Sequence, residues 1–469
     1  MVSLQVGKMG RENCFRVPIY FHNILDLRKV LVMKEGNAKA LAPIGVFVVL
    51  YLGLGILFEY VLKISMGFYS IPVVVIFLIS LLVASLQNKS LGMDKRMEIM
   101  ARGVGDKNIL TMLLIFLCAG IFVGVVGRDS AESVAYFMLS IIPAKFAVLV
   151  LFIVSAFVSL AMGTSVGTIT LICPIAVAVG NSSGFDMALC VGSVVGGSMF
   201  GDNLSFISDT TIAACNGQGC PMKTKFKENF GIALPAAIVS MIVILIMSLR
   251  ANVGEATIGD YNLVKIIPYL LVLIGGIIGI NVFAVLIIGI LSGLIIMLAT
   301  GSATFIELLE SSGSGVSGMF ETSMVAILVA AICSLIAEGG GFVALLSFIK
   351  KVFKGKKGGQ IGIGLLVGAM DIATANNTVA IVMANPIAKE IAEEYGISKE
   401  KTASLLDTFS CIFQGIIPYG AQMLIAISIA TSMGADVSAF QVIPKLTYPF
   451  MLLISSLVFI YLIPEKKRK

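Results

Sequence analysis

Long uncharged apolar runs recur along this chain, at 231–249, 266–279 and 283–298 among others. Each approaches the roughly 20 residues that a helix needs to cross a bilayer. In lipid no water is available to bond backbone N–H and C=O groups, so runs of this kind must be helical. Of 469 residues, 58% are hydrophobic and 13% charged, against about 25% charged in soluble domains. The expected fold class is an all-α polytopic membrane protein, a single membrane domain without a large soluble one.

The net charge of +6 does not point to nucleic acid, because the basic residues gather in short loops as the positive-inside rule expects. The eight cysteines are scattered and mostly lie in apolar segments, where a free thiol acts as a small hydrophobe. Cys215 and Cys220 are the one close pair. The sole histidine, His22, is far from them in sequence, so a structural metal centre is not expected. No phosphate-cradling loop and no hydrolytic triad is present, so neither an enzyme nor a resident cofactor is expected.

Residues 1–40 are polar and basic, with Arg11, Arg16, Arg28, Lys29, Lys34 and Lys39, and they lack a signal-peptide pattern. They are read as a cytoplasmic N-terminal segment. Met33 directly precedes Lys34-Glu35-Gly36-Asn37 and the first apolar run. That placement suggests that 1–32 is a mis-called start; loss of transport on deleting 1–32 would contradict this hypothesis.

A shift of 212 residues superposes the two halves of the chain. Pro174-Ile175-Ala176 falls on Pro386-Ile387-Ala388, and Gly67, Gly127 and Gly184 fall on Gly279, Gly339 and Gly396. The charges, however, are exchanged. Segment 88–108 carries Lys89, Lys95, Arg96, Arg102 and Lys107, whereas 300–320 has no Lys or Arg. Conversely, 350–357 carries five lysines where 138–145 carries only Lys145. If basic loops are cytoplasmic, the halves have opposite orientations, the inverted-topology repeat of many secondary transporters. The expected plan is repeat 1 at 41–250, repeat 2 at 262–463 and a basic cytoplasmic tail at 464–469, with both termini inside a cell (plasma) membrane. Each repeat should hold about five spanning helices, a re-entrant hairpin (within 134–183 and 359–388) and an interrupted helix (187–215 and 402–428). An external loop is expected at Arg128-Asp129, and interfacial amphipathic helices at 88–108 and 303–320.

Four polar interruptions fall at repeat-related places. One is Gly163-Thr164-Ser165, matched by Ala375-Asn376-Asn377-Thr378. Another is 201–211, Gly-Asp-Asn-Leu-Ser-Phe-Ile-Ser-Asp-Thr-Thr, matched by 414–422, so that Asp202 meets Gln414. Ionisable groups at membrane depth usually mark an ion or substrate path. Broken helices there free carbonyls that can coordinate a small cation. Thr164, Ser165, Asn376, Asn377 and Thr378 would add neutral oxygens, and a carboxylate the charge. A sodium site is expected among Asp202, Thr164, Ser165, Asn376 and Asn377. Desolvation disfavours the charged form of a carboxylate, so a proton and a cation can compete for one group. Asp202 is the first choice for this group and Asp209 the second, although Asp209-Thr210-Thr211 also reads as a helix start with Asp209 as N-cap. Ser205, Ser208, Asp371, Asp407 and Gln414 complete the candidate ion- or substrate-binding set.

Gly201-Asp202-Asn203-Leu204-Ser205-Phe206-Ile207-Ser208-Asp209-Thr210-Thr211 resembles the Gly-Asp-x-x-Ser-Pro-x-Ser-Asp-Thr-Thr signature of the NhaC family of sodium/proton antiporters, with Phe206 in place of proline. Gly163-Thr164-Ser165 before Pro174, and Ile416-Ile417-Pro418-Tyr419-Gly420, are similar to other family segments. The likeness runs from about residue 41 onward. It implies secondary transport with Na+ and H+ as cargo, and a place in the wider ion-transporter superfamily, whose members include dimers and elevator-type carriers. NhaC-like proteins also include carriers of organic acids and amino acids. Two readings therefore stand: Na+/H+ antiport by alternating access, and Na+- or H+-coupled transport of a small amino acid or organic acid.

Overall fold

The computed structural model describes residues 36–62, 73–88, 90–205, 208–251, 259–278 and 280–462. The proposed start at Met33, the segment before it, Phe206 and the basic tail 464–469 lie outside these residues. Among the described residues the chain is helical, without strands. In chain order the helices are α1 (Ala42–Ile56), α2 (Val73–Gln87), α3 (Met93–Val104), α4 (Lys107–Ile141), α5 (Ala144–Met162), α6 (Ser165–Ser183), α7 (Met187–Leu204), α8 (Asp209–Gln218), α9 (Met222–Arg250) and α10 (Leu263–Ile277). There follow α11 (Val282–Ala299), α12 (Phe305–Gly318), α13 (Phe320–Glu338), α14 (Gly341–Val352), α15 (Gly355–Thr374), α16 (Asn377–Tyr395), α17 (Lys399–Ile416), α18 (Ala421–Ser432), α19 (Ala439–Val442) and α20 (Thr447–Leu462). Seven described stretches are long and apolar enough to cross a membrane, or up to nine if two sharply bent helix pairs each count as one span.

The 212-residue shift is visible in the helix boundaries. It carries both ends of α6 onto those of α16, and both ends of α7 onto those of α17. It carries the start of α8 onto the start of α18. Helix α5 ends at Gly163, whose φ of 68° is left-handed; α15 ends in the same way at Ala375, φ 49°. A left-handed residue just past a helix end is a common helix stop, and glycine adopts it without a Cβ penalty. Ala375 is the one non-glycine residue with positive φ among those described.

Packing crosses between the repeats. Helix α8 lies against α16, and α18 against α6. The side chain of Asn385 on α16 donates to the carbonyl of Ala213 on α8 at 2.9 Å. Its counterpart Cys173 on α6 donates from Sγ to the carbonyl of Ala426 on α18 at 3.5 Å. Likewise α3 packs on α13 and α12 on α4. The short half-helices that follow each break are thus held by the other half of the chain, and the breaks themselves meet in the interior.

One expectation is corrected, and two further features concern helices α14 and α12. No open loop occurs at 128–129: α4 kinks at Gly127 (φ 70°, ψ 179°) and helix resumes at once, running to Ile141. Ala131, Ala135 and Leu139, spaced by four, are buried, and that stripe holds the segment as a packed helix. The basic stretch beginning at 350 is preceded by a helix of its own, α14, whose Phe342 and Ile349 are buried two turns apart. Finally, α12 has a close packing partner. It crosses α4 so closely that a Cβ on Gly315 would lie 2.0 Å from the carbonyl oxygen of Gly120. Small residues permit such backbone approach between membrane helices.

Candidate functional site

The end of α7 and the starts of α6, α8, α16 and α18 converge on one cavity of about 80 Å3. That is room for several water-sized occupants. Nine of the twelve candidate residues line it: Thr164, Ser165, Asp202, Ser208, Asp209, Asn376, Asn377, Thr378 and Gln414. The five residues expected to form a sodium site are all among them. The lining carries two carboxylates, those of Asp202 and Asp209, and no basic side chain.

Local chemistry explains how the breaks are held open. Thr164 is the N-cap of α6, accepting from the Gly167 N–H at 3.3 Å. Asn376 caps α16 in the same way, accepting from the Val379 N–H at 3.0 Å. Ser, Thr, Asn and Asp favour this position because their side chains satisfy an otherwise orphaned helical N–H. At α8 the cap position is Ser208, with Asp209 as the first helical residue. The helix start foreseen in Asp209-Thr210-Thr211 is present, one residue later than an Asp209 cap requires. A carboxylate in a first helical turn is favoured by the helix dipole; Asp209 is exposed while lining the cavity.

Asp202 is 7% exposed on the last turn of α7. Its Oδ2 accepts from the Ser165 hydroxyl at 2.8 Å, and its Oδ1 from the Ser208 hydroxyl at 2.6 Å. The Ser208 proton is thereby used, so Thr210, whose Oγ1 is 2.7 Å from Ser208 Oγ, is the donor in that pair. Ser165 in turn accepts from Gln422 Nε2 at 3.0 Å. Gln422 Oε1 accepts from Gln414 Nε2 at 2.8 Å, and Gln414 Nε2 also donates to the Ala375 carbonyl at 3.0 Å. Donation therefore starts at Gln414 and goes two ways, to the Ala375 carbonyl at the second-half break and through Gln422 and Ser165 to Asp202. Gln414 Oε1 is buried without a hydrogen-bond partner at the cavity wall. A carboxylate holds about four acceptor positions, so Asp202 retains capacity for a cation or a proton.

The remaining three candidates lie elsewhere. Ser205 donates to the Leu160 carbonyl at 2.8 Å and ties the break to α5. Asp371, on α15, is fully buried, and neither carboxylate oxygen has a hydrogen-bond partner. Asp407, on α17, is ion-paired with Lys225 of α9 in the protein interior. Lys223, Lys225 and Lys227 form one basic stretch in the sequence, but the Lys225 side chain is buried while those of Lys223 and Lys227 are exposed. Lys225 and Asn229 are four apart and share the inward face of α9; that spacing was the available signal. Gln422 and Thr210 also belong to the lining and were missed as candidates; the position of Gln422 eight residues beyond Gln414 was the clue.

The chain is similar to several known proteins. The profile of the Na+/H+ antiporter family matches residues 19–250 and 256–463. The Na(+)/H(+) antiporter NhaC of Bacillus subtilis (strain 168) is 21% identical over 394 residues, which are 76% of this chain and 84% of that protein. The malate-2H(+)/Na(+)-lactate antiporter of the same organism is 25% identical over 195 residues, 41% of this chain. That match spans only 42% of the relative's length. The solved structure of the Alcanivorax borkumensis YdaH transporter aligns with a TM-score of 0.40 and 13% identity, covering 79% of this chain and 88% of that one. With a family match across nearly the whole sequence, on a helical membrane architecture, the chain belongs to the Na+/H+ antiporter family.

Proposed function

We propose that this protein is a secondary active transporter that exchanges sodium for protons at Asp202. The observation that carries the reading is the state of that carboxylate. It is buried in a cavity without basic side chains, and its hydrogen bonds come from two hydroxyls rather than from a Lys or Arg side chain. Thr164, Asn376, Asn377 and Gln414 supply neutral oxygens around it. A proton on Asp202 removes the negative charge that would hold a sodium ion, and a bound sodium ion disfavours the proton, so binding is exclusive. Exclusive binding at one site that faces each side of the membrane in turn gives obligatory exchange. The inverted orientation of the two halves, argued from their charge asymmetry, supplies the alternating access. In this reading the protein lies in the cell membrane with both termini cytoplasmic, requires no cofactor, and can associate as a homodimer.

A second reading is favoured by one feature. The N-terminal ends of four helices, α6, α8, α16 and α18, border the cavity. Helix N-termini present N–H groups and positive partial charge to anions. A small carboxylate or amino acid could bind there, with sodium or a proton held at Asp202. A relative bearing the name malate-2H(+)/Na(+)-lactate antiporter makes this the alternative to test.

The deciding experiment uses purified protein in proteoliposomes carrying an internal pH dye. Sodium chloride added alone should drive proton movement. If sodium is silent, and protons move only when lactate, malate or an amino acid is supplied with it, the second reading replaces the first.

A further inference from the structure

The functional reading leaves unused a buried polar cluster directly behind Asp202. Its centre is Lys225, near the start of α9 and 1% exposed. The ammonium group makes three contacts. It donates to the carbonyl of Asn203 at 3.2 Å, at the end of α7. It donates to Thr211 Oγ1 at 2.9 Å, in the first turn of α8. It forms an ion pair with Asp407 of α17. The first two partners stand on opposite sides of the break that carries Asp202 and Ser208.

Asn229, one turn further along α9, reinforces the same grip. Its Nδ2 donates to the Asn203 carbonyl at 2.6 Å and to Asn203 Oδ1 at 2.9 Å. Its Oδ1 accepts from Thr408 at 2.6 Å and Ser404 at 3.1 Å, both on α17. The Asn203 side chain donates to the Asp407 carbonyl at 3.3 Å. Thus the helix end beside Asp202, the helix start after Ser208 and the facing helix of the other repeat are bound to one lysine and one asparagine. The repeat symmetry does not generate this cluster: Val195 and Val437 occupy the positions matching Asp407 and Lys225.

We infer that Lys225 is a positioning residue for the cation site, clamping both sides of the α7–α8 break and tying it to α17. Removing one member of a buried ion pair leaves an uncompensated charge and is strongly destabilising, whereas a matched neutral pair avoids that cost. An ammonium that bonds a carbonyl freed at one helix end and a hydroxyl at the next helix start fixes their separation. It thereby fixes the spacing of the Asp202 carboxylate and the Ser208 hydroxyl. The Lys225–Asp407 pair is neutral overall, so it provides this grip without adding net charge behind the site.

This inference rests on the sodium/proton reading only for its transport consequence, so the test has two readouts. In full-length protein, Lys225→Gln/Asp407→Asn removes both charges together, and Thr211→Val removes, without altering charge, the hydroxyl that accepts from Lys225 and donates to Asp407 Oδ2 at 3.4 Å. Hydrogen exchange at residues 208–212 reports the clamp directly, whether or not sodium is the substrate. In the double variant, protection there should fall by at least about tenfold. The apparent KM for sodium should rise about fivefold or more with the maximal rate held within about twofold, the pattern of weakened binding rather than lost chemistry. Thr211→Val should move both quantities in the same direction by a smaller factor. Wild-type protection and wild-type sodium KM in the double variant would overturn the inference. Should the double variant fail to fold, unchanged values in Thr211→Val would overturn it. A native protein that moves no protons with sodium would remove the transport reading, while the exchange measurement would still decide the clamp.

Discussion

Ser165 donates a 2.8 Å hydrogen bond to Asp202 across 37 residues of sequence. The bond joins the start of α6 to the end of α7. It places the carboxylate at the meeting point of two helix breaks that neither break could create alone. Through Gln422 and Gln414 the same hydroxyl is also connected to Ala375, so the site is shared between the two halves of the chain.

That connection predicts a specific effect of Ser165→Ala. The substitution leaves Asp202 Oδ2 and one Gln422 N–H without partners, and an unsatisfied buried polar group costs about 1–3 kcal/mol. The apparent KM for sodium is expected to shift by about tenfold or more, with exchange still measurable. Sodium-titrated proton flux in proteoliposomes checks this; an unchanged KM would show that the hydroxyl does not shape the site.

Competition at one carboxylate fixes the sign of the pH response. A proton on Asp202 blocks sodium, so the apparent sodium KM should increase as pH falls. For one shared site the limiting slope is about tenfold per pH unit. Sodium titrations at several pH values would reveal it. A pH effect confined to maximal rate would mean that protons and sodium bind separately.

Ala375 provides a backbone prediction. Its φ of 49° places a side chain in a conformation that costs about 1–2 kcal/mol for residues other than glycine. Ala375→Gly should raise thermal stability or leave it unchanged, and Ala375→Val should lower it. Thermal unfolding in detergent distinguishes the two, and a stabilising valine would contradict the structure at this break.

Helix crossing gives another. A Cβ at Gly201 would lie 2.2 Å from the Ala156 carbonyl oxygen, and one at Gly315 would lie 2.0 Å from that of Gly120. In both cases the obstacle is backbone, which cannot swing aside. Gly201→Ala and Gly315→Ala should each lower folded yield and stability by about 1–3 kcal/mol. Gly313, whose added Cβ meets nothing within 4 Å, serves as the tolerant control.

The orientation argument stands on charge and is testable by labelling. Cysteines introduced at Arg102 and Glu310, both exposed and on helices related by the repeat, should react from opposite sides of the membrane. Labelling of both from one side would remove the inverted repeat.

Much of this arrangement was legible in the sequence because a membrane chain advertises its exceptions. Thr164, Asn376, Asp202 and Gln414 stand out against apolar surroundings, and the 212-residue shift pairs them in the sequence itself. Helix caps are local, so the breaks at 163–165 and 375–377 were readable from their Thr, Ser and Asn residues, whereas the left-handed stop at Ala375 was not. What escaped was information about facing. Lys225 looked like any loop lysine, because only tertiary packing distinguishes the inward side of α9, with Lys225 and Asn229, from the side bearing Lys223 and Lys227. Asp407 was assigned to the site for the same reason: its charge was visible and its partner was not. Asp371 is five residues before Asn376 in sequence, yet on α15 it is not among the residues that line the cavity. Arg128-Asp129 suggested a loop, but a single glycine kink lets α4 continue past it.

If Asp202 carries the exchanged ions, sodium-triggered proton movement in proteoliposomes must depend on it, which a comparison of the native chain with Asp202→Asn measures. Proton movement on sodium addition is expected in the native protein, and its loss in a variant that purifies as a folded, monodisperse species. Undiminished proton movement in Asp202→Asn would contradict it.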